Sequence, residues 1–274
     1  YPLRRQRQMC IRDSICAIIK QPIHRRGQSL KTYLVIPDIH VPYHCPKFIK
    51  LSNKIIKEIN PDGLIQLGDF LDAFQISTYS KDPARRNFLV DDINDFKIIL
   101  NEWARNLKSG ANIHLLEGNH EHRLSRYISS NCRDLHGLVP DWPTLIGIDL
   151  RNKSGRHKWH WHPYNKWNSC QIGDCVLMHG FYYNQHCAAT SLAKYRQSVI
   201  FGHTHRLQAI YDGQHFAVSL GHGSDEKETA HQPTPTGWEQ AMGLLQVDNQ
   251  GKSSIDILRI KNGRTVLYGK TISV

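Results

Sequence analysis

Residues 32–40 have the sequence Thr-Tyr-Leu-Val-Ile-Pro-Asp-Ile-His, an apolar run followed by two potential metal ligands, Asp38 and His40. A short run of β-branched and apolar residues without polar alternation predicts a strand that is buried on both faces. Pro37 ends this run, because proline has no N–H to donate to a sheet. The acidic and imidazole side chains therefore lie just beyond the carboxyl end of a buried strand.

An apolar run followed by potential metal ligands occurs at four later points of the chain. These later motifs are Gly68-Asp69-Phe70-Leu71-Asp72, Gly118-Asn119-His120-Glu121, His179-Gly180 and Gly202-His203-Thr204-His205. The carboxyl ends of strands in an open α/β sheet form one edge, where ligands bind. Carboxylate, amide and imidazole donors suit Mn, Fe, Zn or Ni better than a soft thiolate site does. Two cations held by such donors can clamp a displacement at phosphorus, and Asp69 is the candidate for a carboxylate that they share.

Between these motifs, the first half of the chain alternates strands with amphipathic helices. Apolar residues recur at helical spacing over about 48–59 and about 84–108, and short apolar runs at 64–67 and 113–116 predict strands. This β-α-β-α-β order favours parallel strands that are covered by helices. In the longer helix we expect these residues to face inward: Val90, Ile93, Phe96, Leu100, Trp103 and Leu107.

The second half of the chain is richer in strands. Residues 175–178 and 199–201 predict strands, with a helix over about 186–197 between them. Further β-like runs follow near 207–211, 215–220, 242–247, 254–260 and 265–269. Their close spacing indicates antiparallel hairpins, with Asn262-Gly263 as one tight turn.

The segment Trp159-His160-Trp161-His162 alternates aromatic rings with imidazoles. In a strand, this alternation places the two Trp side chains on one face and the two His side chains on the other. The segment is either a packed strand with polar caps or a wall of stacking aromatics for a single-stranded nucleic acid.

Composition allows one α/β domain of ordinary size in the 274 residues. No apolar run is long enough to span a membrane, so we expect no membrane partner. The seven Cys residues form no Cys-x-x-Cys pair and predict reduced thiols in a cytoplasmic protein. The formal net charge of +11 favours a polyanionic partner such as nucleic acid, or it reflects an ordinary basic surface.

The first fourteen residues are treated separately. Met9-Cys10-Ile11-Arg12-Asp13-Ser14 resembles the translation of a transposase sequencing adapter at the end of an environmental contig, and such segments are excluded from fold reasoning. The alternative is a basic arm that binds nucleic acid. Residues 1–14 hold four Arg and one Asp, so without them the charge is +8. We expect an N-terminal extension over 15–31 and a single domain over 32–274.

The ordered motifs DIH, GDFLD, GNHE, HG and GHTH resemble the calcineurin-like metallophosphoesterase superfamily, in particular its stand-alone phage and bacterial members. The resemblance implies an α/β fold, a four-layer α/β/β/α sandwich of two mixed β-sheets flanked by helices. It implies two divalent metal ions, with Mn as the first choice and Fe, Zn or Ni as alternatives. The implied ligands are Asp38, His40 and His205 for the first ion, Asn119, His179 and His203 for the second, and Asp69 as the bridge.

The resemblance also assigns roles to side chains that do not bind metal. His120 would act as general acid at the leaving oxygen, and Asp72 would orient it and raise its pKa. The phosphoprotein phosphatase branch has Arg where this chain has Ala73, which argues against a Ser/Thr protein phosphatase. We expect Arg123 and Asn119 to contact the substrate phosphate instead. The alternative for Arg123 is a position on a helix surface.

The predicted function is hydrolysis of a phosphate mono- or diester by a hydroxide that bridges two metals, with His120 as the acid. One alternative is a Mn-dependent phage-type DNA nuclease, which the basic charge and the Trp-His segment favour. Another is a non-catalytic, metal-containing subunit that binds nucleic acid. His120 and Asp72 argue against it, because neither is needed merely to hold metal. Glu121 is expected to support its loop or to cap the following helix.

Overall fold

The structure, a computed structural model, describes residues 30–81, 83–165, 170–229 and 236–274. The predictions for residues 1–14 and for most of 15–31 lie outside these ranges. Two β-sheets pack face to face, and helices cover their outer faces. The expected four-layer α/β/β/α sandwich is therefore confirmed.

The described residues contain thirteen strands: β1 Lys31–Ile36, β2 Gly63–Gln66, β3 Asn112–Leu116, β4 Lys158–His162, β5 Cys170–Ile172, β6 Cys175–Met178, β7 Ser198–Phe201, β8 Leu207–Tyr211, β9 Phe216–Leu220, β10 Gln240–Val247, β11 Ser253–Ile260, β12 Arg264–Leu267 and β13 Lys270–Ser273. The first sheet has the order β11-β10-β1-β2-β3-β4, and the second has the order β5-β6-β7-β9-β8. Strands β12 and β13 form a separate hairpin.

Pairing in both sheets is mixed. Strands β1 to β4 pair in parallel. Strand β10 pairs antiparallel with β1, and β11 pairs antiparallel with β10. In the second sheet β6, β7 and β9 are parallel, while β5 and β8 are antiparallel edges. The parallel first half and the hairpins of the second half agree with the sequence prediction. Strand β5, of only three residues, was not predicted.

The described residues contain two short 3₁₀-helices, Phe74–Ile76 and Arg133–Leu135, and seven α-helices: α1 Pro46–Ile59, α2 Leu89–Asn106, α3 Arg123–Asn131, α4 Trp142–Ile146, α5 Ile148–Lys153, α6 Cys187–Tyr195 and α7 Glu226–Thr229. Helices α1 and α2 pack on the outer face of the first sheet, where Trp103 Nε1 donates to Ser52 Oγ at 2.8 Å. Helix α6 covers the second sheet. Among the described residues, no helix combines the length and the apolar character that crossing a membrane requires.

The start of α2 corrects the sequence prediction. The helix begins at Leu89 rather than near residue 84, because the Asp91 carboxylate accepts the main-chain N–H of Phe88 at 3.1 Å and caps the first turn. Val90, expected inside, is 58% exposed on that turn. The other five residues predicted to face inward are buried.

The Trp-His strand β4 has the predicted alternation of faces. Trp159 is buried in the core under the helices, and Trp161 packs against that core. His160 and His162 lie on the opposite face, where both stack on His114. Trp159 is thus part of the core, as the interpretation of a packed strand requires, whereas the partly buried Trp161 also lines a cavity of about 710 Å³.

The predicted tight turn at Asn262-Gly263 is confirmed. Both residues have positive φ, 53° and 70°, as a type I′ hairpin turn requires. Lys261 and Arg264 on either side exchange main-chain hydrogen bonds of 3.0 and 3.1 Å. The five cysteines among the described residues are all free thiols, as expected.

Candidate metal centre

The five motifs all follow parallel strands, and the two sheets bring them to one edge. Asp38, Asp69 and Asn119 follow β1, β2 and β3 of the first sheet, while His179 and His203 follow β6 and β7 of the second. The seven predicted ligands fall into two groups that meet at Asp69.

The first group contains Asp38, His40 and His205, all buried. Nε2 of His205 lies 3.3 Å from Oδ2 of Asp38 and 3.0 Å from Nε2 of His40. Oδ1 of Asp38 and Nδ1 of both histidines are buried without a hydrogen-bond partner. Two imidazole Nε2 atoms thus face each other beside the carboxylate of Asp38, whose Oδ1 is unpaired, and because buried polar groups are usually paired, this arrangement fits a cation.

The second group contains Asn119, His179 and His203. Oδ1 of Asn119 lies 2.9 Å from Nε2 of His179 and 2.8 Å from Nδ1 of His203, and these two nitrogens are 3.2 Å apart. Nδ1 of His179 donates to the carbonyl oxygen of Leu67 at 3.1 Å. Such a bond fixes the ring and directs Nε2 toward a metal.

Asp69 lies between the two groups, as the bridging prediction requires. Its Oδ2 is 3.2 Å from Nε2 of His179 and 3.8 Å from Nε2 of His40. Its Oδ1 accepts the main-chain N–H of His120 at 2.9 Å. One carboxylate oxygen thus faces both ligand groups, while the other anchors the loop after β3.

The charge balance of the site also fits cations. Burial alone would raise the pKa of Asp69, but the charges of His120 and His179 lower it well below the ordinary value. Burial alone would lower the pKa of His179, yet the charges of Asp69 and Asp38 raise it to about 9. The negative charge that holds a proton on His179 would equally attract a metal ion.

Four of the ligands have strained main-chain conformations. His40, Asp69, His203 and His205 adopt φ values of 50°, 49°, 69° and 58°, in the left-handed region that non-glycine residues rarely occupy. Such strain persists where the surrounding structure enforces it, and it clusters at functional sites. Gly118 is required here because the position of a Cβ is already occupied by the Asp69 carboxylate.

His120 lies beside the ligands, and its ring is fixed at both nitrogens. Nδ1 donates to the main-chain carbonyl of Asp72 at 2.7 Å, and Nε2 accepts from Nη2 of Arg123 at 2.9 Å. Nε2 is 3.8 Å from Oδ2 of Asp69. His120 therefore lies beside Asp69 and, through an edge-on contact of the two rings, beside His40 of the first group.

Two expectations about His120 need correction. The Asp72 carboxylate was expected to orient its ring, but the main-chain carbonyl of Asp72 makes the hydrogen bond. The carboxylate oxygen Oδ2 lies 3.6 Å from Nδ1 of His120 and 3.5 Å from Nδ1 of His40. The pKa of His120 was expected to be raised. Burial instead lowers it to about 4, outweighing the charge of Asp69.

Arg123 does not lie on an open helix surface. It opens α3, is partly buried, and donates from Nη1 to the Asp72 carbonyl at 2.7 Å. With Asn119 it lines a cavity of about 210 Å³ that also contains Tyr79, Arg126 and Tyr127. The expected substrate contacts of Arg123 and Asn119 would be made from this cavity.

Comparison with protein families gives a match to the calcineurin-like phosphoesterase model over residues 31–207. The chain belongs to this family. Its members bind divalent metals, and the two ligand groups described above are its candidate metal site in this chain. No curated protein sequence matches the chain.

Solved structures similar to this family member include Vps29 from Cryptosporidium parvum. Its identity is 14%, the match covers 89% of this chain and 99% of that one, and the TM-score is 0.47. Vps29 from Entamoeba histolytica, solved with Zn²⁺, is 13% identical over 83% of this chain and 98% of that one, with a TM-score of 0.39. The phosphoesterase YfcE from E. coli is 13% identical, the match covers 88% of this chain and 98% of that one, and the TM-score is 0.39.

Glu121 supports the loops of this phosphoesterase domain, which is one of the two roles predicted for it. Its buried carboxylate accepts the main-chain N–H groups of Asp69 and Gly118 at 2.8 Å and of Leu71 at 2.7 Å. Trp142 Nε1 donates to its carbonyl oxygen at 2.7 Å. Burial raises the pKa of Glu121 to about 8. The loops that carry Asp69 and Asn119 are thus joined by one side chain.

Sequence reasoning missed the main-chain partners of the site. The carbonyls of Leu67 and Asp72 fix His179 and His120, and every residue type carries such a carbonyl. Gln66 is a further missed residue: its side-chain amide pairs with both the N–H and the C=O of Gly68, at 2.8 Å each. A Gln two residues before the Gly-Asp motif was the available signal.

Proposed function

We propose that this chain is a metal-dependent phosphoesterase that hydrolyses phosphate mono- or diesters. The observation that supports it most is the convergence of seven ligands on one centre with His120 beside them. The metal-binding residues would be Asp38, His40, Asp69, Asn119, His179, His203 and His205. Two divalent ions held there would supply an acidified water as nucleophile and positive charge opposite the phosphate.

His120 would deliver the proton to the leaving oxygen. In the substrate-free arrangement, burial keeps its pKa at about 4, and Arg123 donates to its Nε2. An anionic phosphate close to the ring would favour the protonated form and raise that pKa. Arg123 would then exchange its bond with His120 for a bond to a phosphate oxygen, which the planar guanidinium suits. Substrate binding would thus charge the acid.

Asp72 would act mainly through neighbouring groups. Its carbonyl accepts from both His120 and Arg123, and its carboxylate lies between the Nδ1 atoms of His40 and His120. Asp72 would thereby hold a metal ligand and the general acid in one arrangement. It is a positioning residue for both.

A nucleic acid substrate is the second candidate, and the cavity beside Asn119 favours it. Arg123 and Arg126 give this cavity positive charge, and Tyr79 and Tyr127 give it exposed aromatic rings. Grooves that bind single strands combine these two features. A DNA nuclease would place the backbone phosphate at the metals and a neighbouring base against a tyrosine.

The test is an assay of the full-length chain after metal removal and Mn²⁺ restoration. The substrates are an aryl phosphate monoester, an aryl phosphate diester and a single-stranded oligonucleotide. Asp69→Ala should abolish hydrolysis and reduce the bound metal. His120→Gln should lower kcat by about 10²- to 10⁴-fold with metal content unchanged. His136→Gln, at an exposed position, is the matched control.

The outcomes separate the candidate functions. Faster cleavage of the oligonucleotide than of either aryl ester would favour the nuclease. Two bound metals without turnover of any ester would favour the non-catalytic binding subunit. Hydrolysis that survives Asp69→Ala unchanged would refute the proposed site.

A further inference from the structure

A second set of metal-ligand side chains lies outside the site described above. His114 of β3, His162 at the end of β4 and Cys170 at the start of β5 bring one donor atom each within 4.8 Å of one another. We call these three residues the inter-sheet cluster. Strand β4 is an edge of the first sheet and β5 an edge of the second, so the cluster joins the two sheets where both end.

The distances within the inter-sheet cluster match tetrahedral coordination. Nδ1 of His114 lies 3.1 Å from Nε2 of His162 and 3.5 Å from Sγ of Cys170. Bond lengths of about 2.0–2.1 Å for Zn–N and about 2.3 Å for Zn–S at tetrahedral angles separate two nitrogens by about 3.3 Å, and a nitrogen from a sulfur by about 3.6 Å. Small movements of the rings would therefore admit the ion.

One hydrogen bond can pair only two of the three donor atoms of the cluster. Nδ1 of His114 faces both Nε2 of His162 and the thiol of Cys170. A neutral imidazole nitrogen has either one proton or one lone pair, so only one of these contacts is a full hydrogen bond. An ion at the centre would engage all three donor atoms at once.

The surroundings of the cluster keep both imidazole rings in the neutral form that binds metal. His114 and Cys170 are buried, while His162 is partly exposed and leaves a path from solvent. Burial lowers the pKa of His114 to about 3 and of His162 to about 4, so both rings are neutral, as metal ligands must be. Burial raises the pKa of Cys170 to about 12, so the thiol is protonated in the metal-free chain and an ion must displace this proton to bind the sulfur.

Neighbouring residues hold the cluster in place. His160 stacks on His114 with ring centroids 4.5 Å apart, and its Nε2 lies 3.3 Å from Oδ1 of Asn112. Tyr33 packs edge-on against His114 from β1. The rings of the cluster are thus oriented by the sheet and not by a flexible loop.

We infer that His114, His162 and Cys170 form a third metal site, for Zn²⁺, that links the two sheets. Two imidazoles and one thiolate are a donor set that Zn²⁺ takes readily, with water in the fourth position. Binding replaces the S–H bond of Cys170 by a Zn–S bond and releases one proton to solvent per ion. The site shares no residue with the phosphoesterase centre, and its ligands come from both sheets.

The test uses Co²⁺ as a spectroscopic substitute for Zn²⁺ in the metal-stripped full-length chain. A thiolate-to-cobalt charge-transfer band reports only a site that contains Cys, and the phosphoesterase ligands include none. We expect the band to saturate at the intensity of one thiolate-bound Co²⁺ per chain, while the phosphoesterase centre takes up to two further ions that give no such band, and we expect excess Zn²⁺ to abolish it. Cys170→Ser should remove the band. Cys175→Ser should keep it, because Cys175 is equally buried but makes no contact with the histidines.

A further variant keeps the test decisive if Cys170→Ser does not fold. His162→Gln leaves the thiol in place and should weaken Co²⁺ binding, measured by the same band, by more than about tenfold. A wild-type chain without a charge-transfer band would overturn the inference. A band that persists in Cys170→Ser, or an unchanged affinity in His162→Gln, would do so as well.

Discussion

Single residues at the metal centre combine ligand chemistry with main-chain strain. His40, His203 and His205 hold positive φ values without being glycine, at a cost of about 1–3 kcal/mol each. Their neighbours enforce this geometry: the main-chain N–H of His203 donates to Oδ2 of Asp38 at 2.7 Å. The ligands are therefore held in position by the fold before any ion binds.

Arg123 is the residue whose contribution to catalysis is easiest to isolate. Arg123→Gln removes the donor to Nε2 of His120 and a donor to the Asp72 carbonyl, so the general acid loses one of the two hydrogen bonds that fix its ring. We expect kcat to fall by about 10- to 100-fold while bound metal stays constant. Arg133→Gln, an exposed change nearby, should have no effect. Equal kcat values for both variants would remove Arg123 from the mechanism.

The variant Asp72→Asn tests which contact of this carboxylate matters more, the one with His40 or the one with His120. Because its carboxylate lies as close to His40 as to His120, Asp72→Asn should weaken binding of the first metal by about 10- to 100-fold and lower kcat in parallel. Isothermal titration with Mn²⁺ and steady-state kinetics measure the two effects. A fall in kcat with unchanged metal affinity would instead support the original prediction, in which the carboxylate serves His120 alone.

At the scale of elements, Glu121 connects the loops that follow β2 and β3. Glu121→Gln places an amide N–H₂ opposite main-chain N–H groups of Asp69, Leu71 or Gly118, so at least one buried donor loses its acceptor. The expected loss in the free energy of unfolding is about 1–3 kcal/mol, measured by urea denaturation. Glu58→Gln on the exposed face of α1 is the control. A loss no larger than that of the control would mean that Glu121 does not hold the loops.

The sequence was sufficient to predict an element of the fold wherever one local residue pattern determines that element. The buried strand before Asp38, the alternation of β4 and the Asn262-Gly263 turn are each decided by local chemistry, and all three are confirmed. Helix α4 was missed although Asp141 marks its start: its side chain accepts the N–H of Thr144 at 3.0 Å. Pro143 lies in the first turn of this helix, where proline is tolerated.

At the scale of the whole molecule, the two metal sites differ in how their ligands are spaced along the chain. This spacing decides whether the sequence alone can indicate a site. The phosphoesterase ligands lie in contiguous motifs at strand ends, so the residues themselves indicate the site. The inter-sheet cluster instead joins His114 to residues 48 and 56 positions further on, with no motif around them. Its two histidines come from one sheet and its cysteine from the other, and only the packing of the sheets brings them together.

The same cluster predicts how stability changes with pH in the metal-free chain. The unfolded chain protonates His114 near pH 6.5, whereas the folded chain, with a pKa of about 3, does not. The free energy of unfolding should therefore fall as pH drops from about 6.5 toward 4, by about 1.4 kcal/mol per pH unit for this group. His114→Gln should make the dependence shallower by that amount, and His136→Gln should not. If the free energy of unfolding changed with pH at the same slope in both variants, the buried, neutral state of His114 would be contradicted.

The central claim is that two ions bind between Asp38, His40 and His205 on one side and Asn119, His179 and His203 on the other, bridged by Asp69. Anomalous diffraction from a crystal grown with Mn²⁺ tests this claim most directly. We predict two anomalous peaks, both within about 2.0–2.2 Å of an Asp69 oxygen and each in contact with its own ligand group. A single peak, or no peak within reach of Asp69, would contradict the account.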